Sequence, residues 1–307
     1  MDEEVISVQH LHKQYRDHVA VEDVTLSVRR GEIFGIAGPN GAGKTTSVEC
    51  IQGLRKPDSG EIRVLGLDPA RDITRLRQRI GSQLQQSALP ERIKVWEALD
   101  LFASFVPGES NWPALIDQWG LTGKETASFA NLSGGQQQRL FIALALINDP
   151  EVVFLDELTQ GLDPAARHAT WGLIRAARDQ GKTIVLVTHF MDEAEILCDR
   201  LAIIDHGRVI DLDTPQALIN RHGGPQRLTF STDHNDLNWL ETLDVVQDVT
   251  RTGSQFTVTG TGSLVPLVSH TLVERGIVPD DLRIHQASLE DTFLRLTGRD
   301  QMNGLAD

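Results

Sequence analysis

The chain has 307 residues, enough for one large domain with a sizeable core or for a principal domain with a smaller one beside it. It carries 29 Lys and Arg against 43 Asp and Glu, a formal net charge of -14, and this charge disfavours general binding to nucleic acid or anionic lipid. The acidic first ten residues, the short apolar run from Leu140 to Ile147 and only two cysteines argue against a secretory signal, a membrane span and a disulfide framework, so we expect a cytoplasmic protein.

Polar and apolar residues alternate over the first thirty positions, most clearly in VAVEDVTLSV. This two-residue period is typical of half-buried, antiparallel strands. Four later segments are almost continuously apolar, as strands that are covered on both faces must be. These segments are IFGIAG from Ile33, VVFLD from Val152, TIVLVTH from Thr183 and LAIID from Leu201. Helix-like segments separate them, so the sequence predicts an α/β layer fold around a parallel sheet.

Two further regions differ in pattern from this alternation. From about residue 86 to 150 the strand signal disappears, and apolar residues recur every three or four positions, which predicts an inserted helical subdomain. After the Gly223-Gly224-Pro225 break the segments follow the order βαββαβ, the ferredoxin-like pattern. We therefore expect a first domain over residues 1–220 and a small α+β accessory domain over residues 221–307.

A glycine-rich segment after the first apolar strand has the pattern G-x-x-x-x-G-K-[ST] and precedes a segment that can form a helix. With the threonine that follows, its residues are Gly38, Pro39, Asn40, Gly41, Ala42, Gly43, Lys44, Thr45 and Thr46. Glycines allow the backbone to fold around phosphate oxygens with successive N–H groups directed at the anion. Lys44 would then reach the β and γ phosphates of a nucleotide, and the Thr45 hydroxyl would bind Mg²⁺.

Two other apolar strands also end in polar side chains. VVFLDE ends in Asp156 and Glu157, and TIVLVTH ends in His189. Ligands of parallel sheets bind outside the carboxyl ends of the strands, so we expect these side chains to meet the glycine-rich loop in one crevice. Asp156 is suited to hold Mg²⁺, Glu157 to orient and deprotonate an attacking water, and His189 to contact the γ-phosphate.

The segment LSGGQ, from Leu132 to Gln136, combines two features of a helix start. Ser133 and Gln136 form a capping-box pattern, while Gly134 and Gly135 leave the first N–H groups open to an anion. With the preceding motifs in this order, residues 5 to 215 resemble the nucleotide-binding subunit of ATP-binding cassette (ABC) transporters. The resemblance implies a P-loop NTPase with a RecA-like core, an antiparallel β subdomain and a helical subdomain, which binds ATP and Mg²⁺ and hydrolyses ATP.

The resemblance also implies a partner. In this family the LSGGQ helix start contacts the γ-phosphate held by the opposite copy, so the chain is expected to form an ATP-sandwich homodimer. Gly161-Leu162-Asp163 resembles the D-loop that crosses that interface. Asp163 is equally suited to cap the helix that begins at Pro164, so both roles stay open.

Two more nucleotide contacts are implied in the same way. Gln85 falls where the family has its Q-loop glutamine, which reaches Mg²⁺ and the attacking water, although Gln83 and Gln86 leave the register open. Tyr15 lies where the family places an aromatic ring that stacks on adenine, and ordinary packing of the ring is the alternative.

The last third of the chain resembles a more specific group within this family. VTHFMDEAEILCDRLAIIDHGRVI, the small domain and SLEDTFLRLTGRD are similar to the ATPases of drug and antibiotic exporters that pair with ABC-2-type permeases. A separate integral membrane permease is therefore an expected partner, and it would hold the chain at the inner face of the cell membrane. A soluble cassette ATPase of translation or DNA repair is the first alternative, and a ligand-regulated switch is the second. The transporter is favoured over these alternatives because the chain has one cassette, lacks long heptad repeats and has a net charge of -14. We therefore expect no nucleic-acid partner.

Overall fold

The structure is a computed structural model. The residues that it describes are 3–83, 88–106, 110–234, 236–285 and 287–298. The chain divides between Pro215 and Gln216 into two compact units. In the described ranges, no helix combines the length and the apolar character that crossing a membrane requires.

Within the described part of the first unit, nine strands form one sheet. These strands are β1 (Glu4–Tyr15), β2 (His18–Arg29), β3 (Ile33–Ala37), β4 (Ser59–Val64), β5 (Ile80–Gln83), β6 (Val152–Asp156), β7 (Thr183–Thr188), β8 (Arg200–Asp205) and β9 (Arg208–Asp213). Their spatial order is β4-β1-β2-β9-β8-β3-β7-β6-β5. The helices of this unit are α1 (Lys44–Ile51), α2 (Ile73–Leu76), α3 (Val95–Ala103), α4 (Trp112–Gln118), α5 (Gly134–Ala145), α6 (Pro164–Asp179) and α7 (Met191–Leu197).

The centre of the sheet is parallel, as the apolar segments predict. β3 pairs in parallel with β7 and β8, β6 pairs with β7, and β5 pairs with β6. Every residue of β3, β6 and β7 is buried, because helices and loops cover both faces. The parallel pairing brings the carboxyl ends of β3, β6 and β7 to the same edge, where the three polar motifs begin.

One side of the sheet is antiparallel. β1 pairs with β2 and with β4 in this sense, which confirms the prediction from the alternating N-terminal sequence. Between β5 and β6 the described residues include the helices α3, α4 and α5, and a 3-10 helix at Phe129–Asn131 lies between α4 and α5. On α3 the buried residues are Val95, Ala98 and Leu99, the spacing of three and four that a one-sided helix requires.

The second unit has its own sheet and core. Its elements are α8 (Pro215–His222), β10 (Gln226–Ser231), a 3-10 helix (Asn238–Thr242), β11 (Val246–Thr252), β12 (Gln255–Gly260), α9 (Leu264–Glu274), β13 (Asp280–His285) and α10 (Leu289–Leu296). The strands pair antiparallel in the order β11-β12-β10-β13. A cluster that includes Leu228, Phe230, Phe256 and Val268 is almost fully buried. The first helix that the sequence predicts here is a five-residue 3-10 helix rather than an α-helix.

Candidate active site

The glycine-rich loop connects β3 to α1, and two of its glycines have left-handed backbone. The φ angles are 81° at Gly41 and 97° at Gly43, a conformation that residues with a Cβ rarely adopt. Gly43 is the N-cap of α1, and its carbonyl accepts a hydrogen bond from the Ser47 N–H at 2.9 Å. The loop therefore ends at the N-terminus of α1, which is the positive end of the helix dipole.

Lys44 lies under this loop, with 6% of its surface exposed. Its Nζ donates hydrogen bonds to the carbonyl oxygens of Gly38 at 2.7 Å and Pro39 at 3.0 Å. Burial lowers the pKa of the ammonium group, while the charges of Glu157 and Asp156 oppose that shift. The loop thus holds a desolvated cation near two carboxylates, where its field is weakly screened.

Asp156 is the last residue of β6, and 8% of its surface is exposed. Its carboxyl has a pKa raised to about 6, chiefly by burial and also by the charge of Glu157, while the charge of Lys44 opposes the shift. Glu157 has a φ of 48°, and its N–H donates to the Val187 carbonyl oxygen at 2.9 Å. Its Oε1 lies 3.3 Å from Nδ1 of His189, so the residues that follow β6 and β7 meet through their side chains.

A cavity of about 400 Å³ lies over the glycine-rich loop. The described residues that line it are Tyr15, His18, Ala20, Asn40, Gly41, Ala42, Gly43, Lys44, Thr45, Thr46 and Glu157. It brings the predicted aromatic ring, the predicted phosphate loop and the predicted base to one space. His18 and Ala20 also line the cavity. The sequence does not reveal this, because the alternation of polar and apolar residues around them indicates a strand but no contact with a ligand.

Tyr15 ends β1, and 36% of its surface is exposed. Two cations lie near its ring, with Nζ of Lys13 at 5.4 Å and Cζ of Arg55 at 5.5 Å from the ring centroid. The negative face of an aromatic ring attracts cations at such distances. The ring is therefore placed at the cavity, and stacking on adenine stays a prediction.

The LSGGQ segment forms the helix start that its sequence predicts. Oγ of Ser133 accepts the Gln136 N–H at 3.3 Å, and Oε1 of Gln136 accepts the Ser133 N–H at 3.0 Å. Ser133 and Gly134 are exposed, whereas Gly135 is buried, and a Cβ on it would lie 3.0 Å from Cβ of Ala166. Of the residues that the structure describes, those of this segment are not among the lining of the cavity.

Asp163 caps α6, as predicted, and its Oδ1 accepts the Ala166 N–H at 2.9 Å. It too is absent from the cavity lining as far as the described residues show. Gln85 lies outside the described residues, so the structure does not test its predicted role.

The predicted metal ligands supply oxygen donors only. Thr45 is exposed at the cavity, and Asp156 interacts electrostatically with Lys44 on the same loop. Across the described part of the chain, no group of three or more His, Cys, Asp or Glu residues is placed to hold a metal ion. One carboxylate with one hydroxyl suits a hard cation such as Mg²⁺, which binds a few protein oxygens together with phosphate and water.

Comparisons with known proteins identify relatives along the whole chain. The family described as ABC transporter matches residues 21–160. The Nod factor export ATP-binding protein I of Ralstonia nicotianae is 39% identical over 306 residues, covering 96% of this chain and 94% of that protein. A solved ATP-binding subunit of an ABC transporter is 30% identical with a TM-score of 0.64, covering 71% of this chain and 93% of that one. A dimeric ATP-binding cassette bound to ADP and Pi is 28% identical with a TM-score of 0.62, covering 68% and 98%.

Proposed function

Since this chain belongs to the ATP-binding subunits of ABC transporters and is an ATPase, we propose that its hydrolysis of ATP powers export through a separate membrane permease. The observation that carries the proposal is the cavity that Lys44 and Glu157 line together. A phosphate-binding loop and a carboxylate suited to activate water then face the same ligand.

The phosphates bind the loop from Gly38 to Thr46. The N–H groups at the start of α1 and the Lys44 ammonium supply the positive charge, and the adenine ring stacks on Tyr15. Because Lys44 is buried, its attraction for the β and γ phosphates acts in a medium of low dielectric. This local field overcomes the repulsion from a chain whose net charge is -14.

Mg²⁺ accompanies the nucleotide in this proposal. The desolvated Asp156 carboxylate lies beside Glu157, and a divalent cation would relieve the repulsion that helps to raise the Asp156 pKa. Thr45 supplies a hydroxyl ligand, and the resemblance to the family adds Gln85. When bound, the ion neutralises charge on the phosphates.

Glu157 orients the attacking water and accepts its proton, and His189 contacts the γ-phosphate. The 3.3 Å contact between Oε1 of Glu157 and Nδ1 of His189 supports a joint role, because it fixes each side chain relative to the other. With Glu157 ionised, its carboxylate oxygen accepts this hydrogen bond from the Nδ1–H group of His189.

The active form is a head-to-tail homodimer. Ser133 and Gly134 present an exposed helix start, and the described lining of their own cavity does not include them. A second copy would bring this positive helix end to the γ-phosphate, with Asp163 at the interface. A dimeric cassette among the similar structures supports this arrangement.

Export is proposed because two lines of similarity agree on it. The C-terminal third resembles ATPases of drug and antibiotic exporters with ABC-2-type permeases, and several relatives are named for Nod factor export. In this family the permease selects the cargo, so the proposal places cargo choice outside this chain. The permease holds the ATPase at the inner face of the membrane, and ATP-driven closure of the dimer moves it.

The test uses tagged Glu157→Gln protein, expressed in its own host and extracted from membranes with ATP and Mg²⁺ present. A polytopic membrane protein should copurify and be identified by mass spectrometry. A matched Lys44→Ala, Glu157→Gln double variant, which cannot hold ATP, should capture less of it. Copurification of ribosomes or DNA in place of a membrane protein would refute the transport proposal and favour an ATPase of translation or repair.

A further inference from the structure

A continuous series of side-chain contacts joins Arg167 to Glu157. The Cζ atom of Arg167 lies 4.9 Å from the ring centroid of Phe190. The Phe190 and His189 ring centroids are 4.1 Å apart, with 37° between the ring planes. Nδ1 of His189 then meets Oε1 of Glu157 at 3.3 Å. Two aromatic rings thus connect a guanidinium group on α6 to the carboxylate at the end of β6.

The two ends of this series of contacts, Glu157 and Arg167, are also close together along the backbone. Arg167 lies in the first turns of α6, and its N–H donates to the carbonyl oxygen of the capping residue Asp163 at 2.9 Å. Nine residues of the chain lie between Glu157 and Arg167. The segment from Glu157 to Arg167 therefore contacts both residues of the His189–Phe190 pair. Glu157 contacts His189, and Arg167 contacts Phe190.

Arg167 is itself fixed from a second direction. Its Nη1 donates to Oδ2 of Asp192 at 3.1 Å, and Oδ1 of Asp192 accepts the Glu193 N–H at 2.9 Å. The guanidinium group therefore lies over the Phe190 ring and also donates to the Asp192 carboxylate. Arginine is suited to both contacts at once, because its head is planar, whereas a lysine ammonium is a point charge.

A separate contact holds α6 and α7 together. The buried Trp171 donates from Nε1 to Oε1 of the buried Glu193 at 3.1 Å. Because this hydrogen bond does not involve Arg167, loss of the arginine should not separate the two helices. The consequence of that loss should instead be local to the Phe190 and His189 rings.

We propose that Arg167 is a positioning residue for ATP hydrolysis, which sets the orientation of His189 by stacking on Phe190. The proposal rests on the role of His189 in the proposed function. His189 follows β7 with 34% of its side chain exposed, so its ring is incompletely packed and depends on directed contacts for its orientation. Small displacements of a group that contacts the reacting phosphate lower the rate strongly.

Three variants separate the stacking contact from the ion pair. Arg167→Ala removes both, Arg167→Lys keeps a charge near Asp192 without the planar face, and Asp192→Asn removes the ion pair alone. We expect kcat for ATP hydrolysis to fall about tenfold in Arg167→Ala, less in Arg167→Lys and no more than about twofold in Asp192→Asn. ATP affinity should stay unchanged in all three, since Arg167 and Asp192 are not among the described residues that line the cavity.

A double-mutant cycle supplies the decisive measurement. If Arg167 acts through His189, then Arg167→Ala should add no further loss of kcat in a His189→Ala background. Equal losses in both backgrounds would overturn the Arg167 proposal while leaving the role of His189 intact. If His189→Ala kept the wild-type kcat, both the proposed role of His189 and the proposed role of Arg167 in positioning it would be refuted.

A second route guards against a variant that folds poorly. Phe190→Leu removes the ring and keeps an apolar side chain, so it should reproduce the fall in kcat and the absence of any further loss with His189→Ala. The melting temperature of each variant is measured alongside. A fall in kcat that follows the melting temperature across the series, with Asp192→Asn affected as strongly as Phe190→Leu, would contradict the proposal.

Discussion

Gly43 packs so closely against Ala20 that a Cβ at Gly43 would lie 2.3 Å from the Ala20 carbonyl oxygen. Its φ of 97° is also unfavourable for any residue with a side chain. Two independent constraints therefore require glycine at the last residue before α1, where the loop presents its N–H groups to the cavity.

Gly43→Ala should consequently displace the loop and weaken ATP binding, with a loss of folding stability of about 2–4 kcal/mol from strain and the clash with backbone. Gly41→Ala is the matched control, because Gly41 has a φ of 81° but open space around its Cβ position. It should lose only about 1 kcal/mol. Urea denaturation and ATP titration of both variants test this, and equal effects would show that the contact with Ala20 is unimportant.

Lys44→Ala should abolish measurable ATP binding, because the buried ammonium is the charge that faces the phosphates. Loss of a charge-assisted contact in a desolvated site corresponds to a fall in affinity of roughly 30- to 100-fold or more. Lys182→Ala is the control, since Lys182 forms an ion pair with Asp149 away from the cavity lining. Isothermal titration that gave Lys44→Ala the affinity of the parent would disprove the assignment of the loop.

Glu157→Gln should bind ATP and stop turnover. The amide keeps the shape of the side chain but cannot accept a proton from water, so kcat should fall by roughly 10²- to 10⁴-fold. Glu61→Gln, which alters an exposed carboxylate paired with Arg63, should keep the parental rate. Phosphate release at saturating ATP measures both, and an undiminished rate in Glu157→Gln would remove this residue from the role of base.

The placement of these residues at one edge of the sheet could be predicted from the sequence because each motif adjoins its own strand, whereas their roles stay predictions. The phosphate loop, Asp156–Glu157 and His189 each follow a buried apolar strand, and parallel pairing brings the ends of those strands to one edge. The contact of Arg167 with Phe190 was not accessible, since it joins segments 23 residues apart through side-chain orientation alone.

Local pattern also limited the prediction of some elements. β5, with the sequence IGSQ, is too short and polar to give a strand signal, and among the strands that the structure describes it pairs with β6. In the second unit Leu237 and Leu240 are fully buried and Leu243 packs against the same core. A spacing of three suits a 3-10 helix better than an α-helix. The ferredoxin-like assignment of this unit stays a prediction.

Removal of the residues after Pro215, where the first unit ends, should leave ATP affinity within about twofold of the parent, because each unit has a core of its own. The buried cluster of the second unit draws its members from residues 228–277, and that of the sheet in the first unit from residues 5–204. Fluorescence titration with a nucleotide analogue tests the shortened chain. Loss of binding by a folded, monodisperse product would show that the nucleotide site needs the second unit.

Asp156 should make the stability of the nucleotide-free protein depend on pH. Its carboxyl has a pKa of 3.8 when unperturbed and of about 6 in the fold, chiefly because burial disfavours the charged form. Well below pH 3.8 the group is protonated in both states and does not affect stability. Between about pH 3.8 and 6 the unfolded chain has released this proton while the folded state keeps it, so stability falls as the pH rises through this window and levels off above pH 6.

Asp156→Asn, which cannot ionise, should therefore unfold at higher urea than the parent at pH 8, by up to about 3 kcal/mol. The difference should shrink as the pH falls from 6 towards 3.8 and vanish well below pH 3.8, with EDTA present and nucleotide absent. All other titrating groups are common to both proteins, so the difference isolates Asp156. A constant or inverted difference would mean that Lys44 already compensates the buried charge fully. The same variant should lose Mg²⁺-dependent ATP hydrolysis at every pH if Asp156 binds the metal ion as proposed, because the substitution removes the charge of this ligand.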